Sequence, residues 1–198
     1  KTTDTRSELQ NGAPTNLGAQ ARAESRESEF ALWAQDEWQF AESQTLTPGL
    51  RVSASGREVV DGLGAKISDD TVTWLPSVHY VWRANERWNL RASVAMNQRL
   101  PNVRDLSPVV RTTTGQNALS NPDSGGNPSL KPETTTSLQL GVEHFLPDQR
   151  GTAGLNLYLR DISDKIQRRI LLESGRYVQR PINVDSATET SVVADFKW

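Results

Sequence analysis

About eight stretches of this 198-residue chain alternate apolar and polar residues at every second position. The cleanest sets Trp88, Leu90, Ala92, Val94 and Met96 against Asn89, Arg91, Ser93 and Asn97. Successive strand residues point to opposite faces, so each stretch reads as a strand with one apolar and one polar side. The first strand is expected over residues 28–40, with Phe30, Leu32, Ala34, Trp38 and Phe40 on its apolar face. Asp36 breaks that stripe, and Trp33 breaks the polar one. Further strands are expected over 45–54, 72–82, 88–97, 136–146 and 153–159. Two weaker ones, 177–184 and 188–198, are divided by a turn at Asn183, Val184, Asp185 and Ser186.

Between the strands the connections alternate in length. Short turns are expected at 41–44, 84–87 and 147–151, and longer loops through Gly56, Gly62, Gly64 and Asp70 and over 99–133. The sequence Ser174-Gly175-Arg176 reads as a hairpin turn. In an antiparallel up-and-down meander, all short turns then fall at one end and all long loops at the other. Trp38, Phe40, Tyr80, Trp82 and Trp88 all lie beside short turns, as aromatic side chains gather at a membrane interface. Residues 1–27 are polar and without period, and read as loop or frayed terminus; 28–198 read as one all-β unit.

Composition narrows this picture only where it touches the membrane question. Mean hydropathy is -0.59 and apolar residues make up 35%, too polar for a bundle of membrane helices. A barrel strand needs only about ten tilted residues, half of them apolar, so a membrane barrel remains open. A water-facing sheet with one buried face fits the same alternation. Net charge is -2, which carries no nucleic-acid signal, and the absence of cysteine removes disulfides and thiolate chemistry.

Two segments carry a family resemblance. One is Gln98-Arg99-Leu100-Pro101-Asn102-Val103-Arg104-Asp105-Leu106; the other is Gly126-Asn127-Pro128-Ser129-Leu130-Lys131-Pro132-Glu133, running on into Thr134-Thr135-Thr136-Ser137-Leu138. Arg99, Pro101 and Leu106, then Asn127, Pro128, Leu130, Lys131, Pro132 and Glu133, form a motif that resembles the C-terminal half of the barrel of TonB-dependent outer-membrane receptors. The resemblance runs from about residue 29 to the end. It implies a segment of a transmembrane β-barrel in the outer membrane of a Gram-negative bacterium. It further implies a siderophore-like ligand, surrounding lipid, and a TonB complex reached through a plug region that this stretch does not show. The two prolines also have a local consequence. They hold Asn127 and Lys131 extended and remove two backbone donors, so the second segment makes a stiff descent into a strand.

Candidate chemistry is sparse. His79 and His144 stand apart with no ligand spacing, no catalytic triad can be assembled, and neither a metal site nor a cofactor is expected. Relatives that bind haem typically carry a histidine in the loop between the two motif segments; residues 99–131 hold none, which argues against haem. Arg51 and Arg91, in mid-strand, are expected to pair with carboxylates such as Glu37 and Glu143. Arg99, Arg104, Arg111 and Asn117, in or beside the long loop, are the candidates for holding an anionic chelate. Long surface loops tolerate change, so removal of residues 112–125 is expected to leave the barrel folded. Two other readings stay open at this point: a soluble β-sandwich that binds, for example, carbohydrate, and a structural outer-membrane barrel without transport.

Overall fold

The computed structural model describes residues 2–5, 8–10, 13–15, 22–61, 64, 66–147 and 150–198. Strands β1 (Thr2–Thr5), β2 (Glu8–Gln10) and β3 (Ala13–Thr15) precede β4 (Arg22–Gln35), β5 (Trp38–Ala41), β6 (Gln44–Asp61) and β7 (Lys66–Asn85). There follow β8 (Trp88–Arg99), β9 (Val110–Arg111), β10 (Asp123–Gly125), β11 (Glu133–Phe145), β12 (Thr152–Glu173) and β13 (Arg176–Lys197). One sheet runs in the order β1-β4-β6-β7-β8-β11-β12-β13-β10-β9, with β5 beside β6; β2 and β3 form a separate hairpin. From β4 to β13 every neighbour is antiparallel and sequential, the expected meander. One pairing departs from it. β10, inside the long loop, lies parallel to β13, so the sheet is mixed, and β4 does not meet β13 to close it.

Register carries the apolar faces into continuous rows. Leu46, Tyr80, Ala92, Leu140, Leu157 and Val192 follow one another across six strands, and Gln44, Trp82, Leu90, Val142, Leu155 and Ala194 form the next row. A sandwich would bury such rows against a second sheet. Among the described residues no second sheet covers them: Phe30, Leu32, Val72, Trp74, Val94 and Val192 are all exposed. The soluble-sandwich reading therefore fails on its own requirement. The rows end sharply. On β12 the outward positions change from Ala153, Leu155, Leu157 and Leu159 to Asp161, Ser163 and Lys165, and on β6 from Ala54 to Gly56 and Glu58. Strands of 22 residues extend about 70 Å, whereas a lipid band needs only about ten residues. The outer halves of the hairpins stand clear of it.

Several sequence expectations are corrected by this extension. The first long strand starts at Arg22 rather than residue 28, paired at its start with β1, and Asp36 and Glu37 interrupt it without changing register. Residues 55–61 and 66–70, expected as loop, continue the β6–β7 ladder. Of that loop, Gly62 lies outside the described residues, as do the N-terminal residues 16–21. The turn expected at Asn183 to Ser186 does not exist: β13 runs straight through, and seven long strands replace eight. Asp185 and Ser186 are exposed strand residues above the lipid band and Asn183 is bonded to Lys131, so turn formers there no longer mark turns. The turn at Ser174 and Gly175 is as expected, with both residues at positive φ (47° and 78°) in a two-residue hairpin.

Candidate functional site

The polar faces share one side of the sheet, and the segment between β8 and β11 folds onto that side. Asn102 accepts the Arg104 amide at 3.0 Å and caps one 3-10 turn, Val103–Leu106. That turn sinks Leu106, which is 2% exposed. The second motif segment docks beside it. The Asn127 amide donates to the Asp105 carbonyl at 2.6 Å, and the Asn127 side chain accepts the Ser129 amide at 3.0 Å. Leu106 and Leu130 then pack with Val59 of β6, and Ile166 of β12 closes the cluster. Two strands that are far apart in the sheet order therefore meet through the loop. Gly126 makes this approach possible: a Cβ there would lie 2.6 Å from the Asp105 carbonyl oxygen, against backbone that cannot yield.

Charged and amide groups pin the loop at both flanks. On one side Arg57, buried on β6, donates to the Leu130 carbonyl at 3.1 Å and pairs with Asp69. On the other, Arg168 meets Asp105 at 2.6 Å, and Asn127 donates to the Pro181 carbonyl at 3.2 Å. Asn183 holds both backbone groups of Lys131, at 2.9 and 3.0 Å. Glu133 is buried; it takes the Ile166 amide at 2.6 Å and Arg99 at 3.2 Å. Nearer the hairpin tip, Arg176 clamps Asp123 at 2.6 and 3.0 Å. The Arg176 hydrogen bonds, with the Thr113 amide in support, hold the Asp123 carboxyl down at about 2. Arg180 binds both Glu173 oxygens and the Gly126 carbonyl, and likewise holds Glu173 below the usual carboxylate range.

The candidate residues divide under this geometry. Arg99 is tied to Glu133, and Asn117 is spent on the Tyr177 backbone, accepting its amide at 2.7 Å and donating to its carbonyl at 2.9 Å. Arg104 and Arg111 have exposed side chains. Among the motif residues, Pro101, Leu106, Leu130 and Glu133 are buried, Asn127, Pro128 and Pro132 are half-buried, and Arg99 and Lys131 have exposed side chains. The motif builds the loop's attachment. Arg91 pairs with Glu143 at 3.1 Å as expected, whereas Arg51 takes Glu29 rather than Glu37. Arg57, Asp123, Arg168 and Arg176 escaped the sequence reading because residues 55–61, 120–125 and 160–176 read as loops, and a loop gives no face; Arg180 and Asn183 fall in the expected strand 177–184, whose period does not show what its side chains bind. No grouping of His, Asp and Glu capable of holding a metal occurs among the described residues.

Comparison with known proteins agrees with this arrangement. The chain is 28% identical over 141 residues to the iron-regulated outer membrane virulence protein of Vibrio cholerae, which covers 71% of this chain and 19% of that protein. It is 27% identical over 169 residues to the ferric enterobactin receptor of Pseudomonas aeruginosa, covering 83% of this chain and 21% of that receptor. The chain thus spans about a fifth of these relatives. Among solved structures, the hemophore receptor HasR of Serratia marcescens superposes with a TM-score of 0.68 at 16% identity, covering 90% of this chain and 32% of that one. The copper transporter OprC gives 0.64 at 19% identity, covering 86% and 26%. The family model for the TonB dependent receptor-like beta-barrel matches residues 2–191, and the chain belongs to that family.

Proposed function

We propose that the chain forms part of the wall and one outer loop of an outer-membrane receptor that imports an anionic nutrient chelate, such as a ferric siderophore. The observation that carries this reading is the division of the sheet. Its outward face is apolar over the height of a lipid band, and its polar face is crossed by a loop that presents Arg104 and Arg111. Relatives named for ferric enterobactin and for iron regulation support the ligand class. In this reading the protein resides in the outer membrane of a Gram-negative bacterium and draws energy from a TonB complex acting through a plug. The chelate meets the loop first, through charge-assisted contacts that neutralise its oxygens. No bond is made or broken. The test is uptake of radiolabelled ferric enterobactin by cells whose sole receptor is the full-length protein. Arg104→Glu with Arg111→Glu should reduce uptake at least tenfold while the heat-modifiable barrel band persists. Unchanged uptake would remove the loop from recognition, and absence of uptake by the unaltered receptor would favour a structural barrel or another ligand.

A further inference from the structure

Arg57 has no evident reason to be buried. It stands on the polar face of β6 with a side chain 5% exposed, two residues from Val59 in the small apolar cluster under the loop. Burying a guanidinium carries a desolvation cost that its bonds must offset. Its bonds are incomplete. One terminal nitrogen donates to the Leu130 carbonyl and the other pairs with Asp69, but the buried Nε has no partner among the described residues. Directly across the β4–β6 ladder is Glu27, the Cα partner of Arg57, whose buried Oε1 also lacks a partner. Burial raises the Glu27 carboxyl above its ordinary range despite the nearby guanidinium, as befits a group not yet engaged.

We infer that Arg57 is a positioning residue with two alternative partners: the Leu130 carbonyl, which holds the loop against the wall, and Glu27, which accepts the guanidinium when the loop lifts. Leu130 sits at the centre of the loop's attachment, so releasing its carbonyl unpins the β6 flank while Arg168, Asn183 and Glu133 still hold the β12–β13 flank. The loop then swings from the β12 side. Without Glu27, a lifted loop would leave the guanidinium with no charge-assisted acceptor in place of the Leu130 carbonyl, so the open state would be less favoured. Glu27 therefore sets how often the loop opens, and the arrangement is two discrete states rather than general softness. The inference is independent of which ligand the receptor takes.

The test measures the loop directly. The chain contains no cysteine, and Ser68 on β7 and Ser129 in the loop are both exposed. Spin labels at Ser68→Cys and Ser129→Cys, in the full-length receptor reconstituted in liposomes, report their separation by pulsed electron resonance. The unaltered protein should show a major short distance and a minor longer one. Arg57→Met should make the longer distance the major population. Glu27→Gln should act in the opposite direction and at least halve the minor population, which a merely structural pair would not do. The double variant should follow Arg57→Met. An unchanged distribution in Arg57→Met, or an unchanged or enlarged long population in Glu27→Gln, overturns the inference. If Arg57→Met fails to insert, Glu27→Gln decides alone by the same criterion.

Discussion

Within the lipid band and above it, the same strands are stabilised by different means. Below Ala54 and Leu159 the wall is regular: apolar outside, paired charges inside, and a ladder across six strands whose register shifts, at Gln39/Ala41 and Arg83/Asn85, lie beside the short turns. Above that level the outward stripe disappears, Asp164 enters positive φ, and Asn183 takes up its carbonyl at 2.7 Å. There the loop and hairpins are joined by arginines, buried acids and a cluster of only Val59, Leu106, Leu130 and Ile166. A lipid solvent demands that every backbone group be satisfied within the sheet, so the lower wall needs little else. The outer part stands in water and has no such constraint. Its order must come from specific side-chain bonds, and those bonds are what ligand or mutation can shift.

If the outer part depends on so small a core, one cavity there should do the most damage. Leu130→Ala is expected to cost about 2–5 kcal/mol, confined to the loop, and to appear as fast hydrogen exchange at the Leu130 and Asn127 amides. Strands β11 and β12 should keep their protection. Protection lost equally in both parts would mean that the two regions unfold as one. The converse change belongs to the wall. Leu140→Arg, in the middle of the outward rows, should destabilise insertion by roughly 2–4 kcal/mol, read from reversible folding into lipid vesicles, with the loop unaffected. A negligible effect would mean that this face does not meet lipid.

The same division decides what the sequence could disclose. Trp88 to Met96 could be read because alternation at period two is enforced wherever one face meets lipid and the other water. Residues 183–186 were misread as a turn because, above the lipid band, neither face of β13 need be apolar. Residues 55–61 and 66–70 failed for the same reason. The site was legible as a motif but not as a structure. Pro128 and Pro132 told of an extended descent, yet nothing in spacing linked Leu106 to Val59 or Asn127 to Pro181, contacts that depend on sheet curvature. Loss of 112–125 is still expected to leave the barrel folded, with a local cost at the β12–β13 tip. That stretch carries Asp123 and Asn117, which fasten it to Arg176 and Tyr177, so its removal would free the hairpin tip.

Asp123 offers a milder disturbance with a defined sign. Its folded value of about 2 lies below the ordinary 3.8, so its carboxylate contributes stability that is complete above about pH 4. That contribution is lost as pH falls through about 2. A spin label at Leu119, an exposed loop position, should therefore become mobile between about pH 4 and 2. Asp123→Asn should give a mobile label at every pH, because an amide cannot form the same charged pair with Arg176. A pH response that survives Asp123→Asn would assign the fastening to another acid.

The smallest effect is expected from ion pairs on the lower wall. Arg51 and Glu29 lie 3.1 Å apart, but their side chains are 46% and 42% exposed, and both face the watery side of the sheet. Attraction between exposed charges is weak and screened, and holding two long side chains in one geometry costs entropy. A double-mutant cycle with Arg51→Ala and Glu29→Ala should return a coupling of about 0–1 kcal/mol, falling further in high salt. Arg57, only six residues along the same face of β6, is itself out of water beneath the Leu130 carbonyl while its Asp69 partner stays half exposed, and a cycle with Asp69→Ala should exceed the Arg51 value. The contrast isolates solvation, since strand, face and charge type are the same. Equal couplings at the two arginines would mean that the loop does not dry the wall beneath it, and the distinction between the two regions would then rest on packing alone.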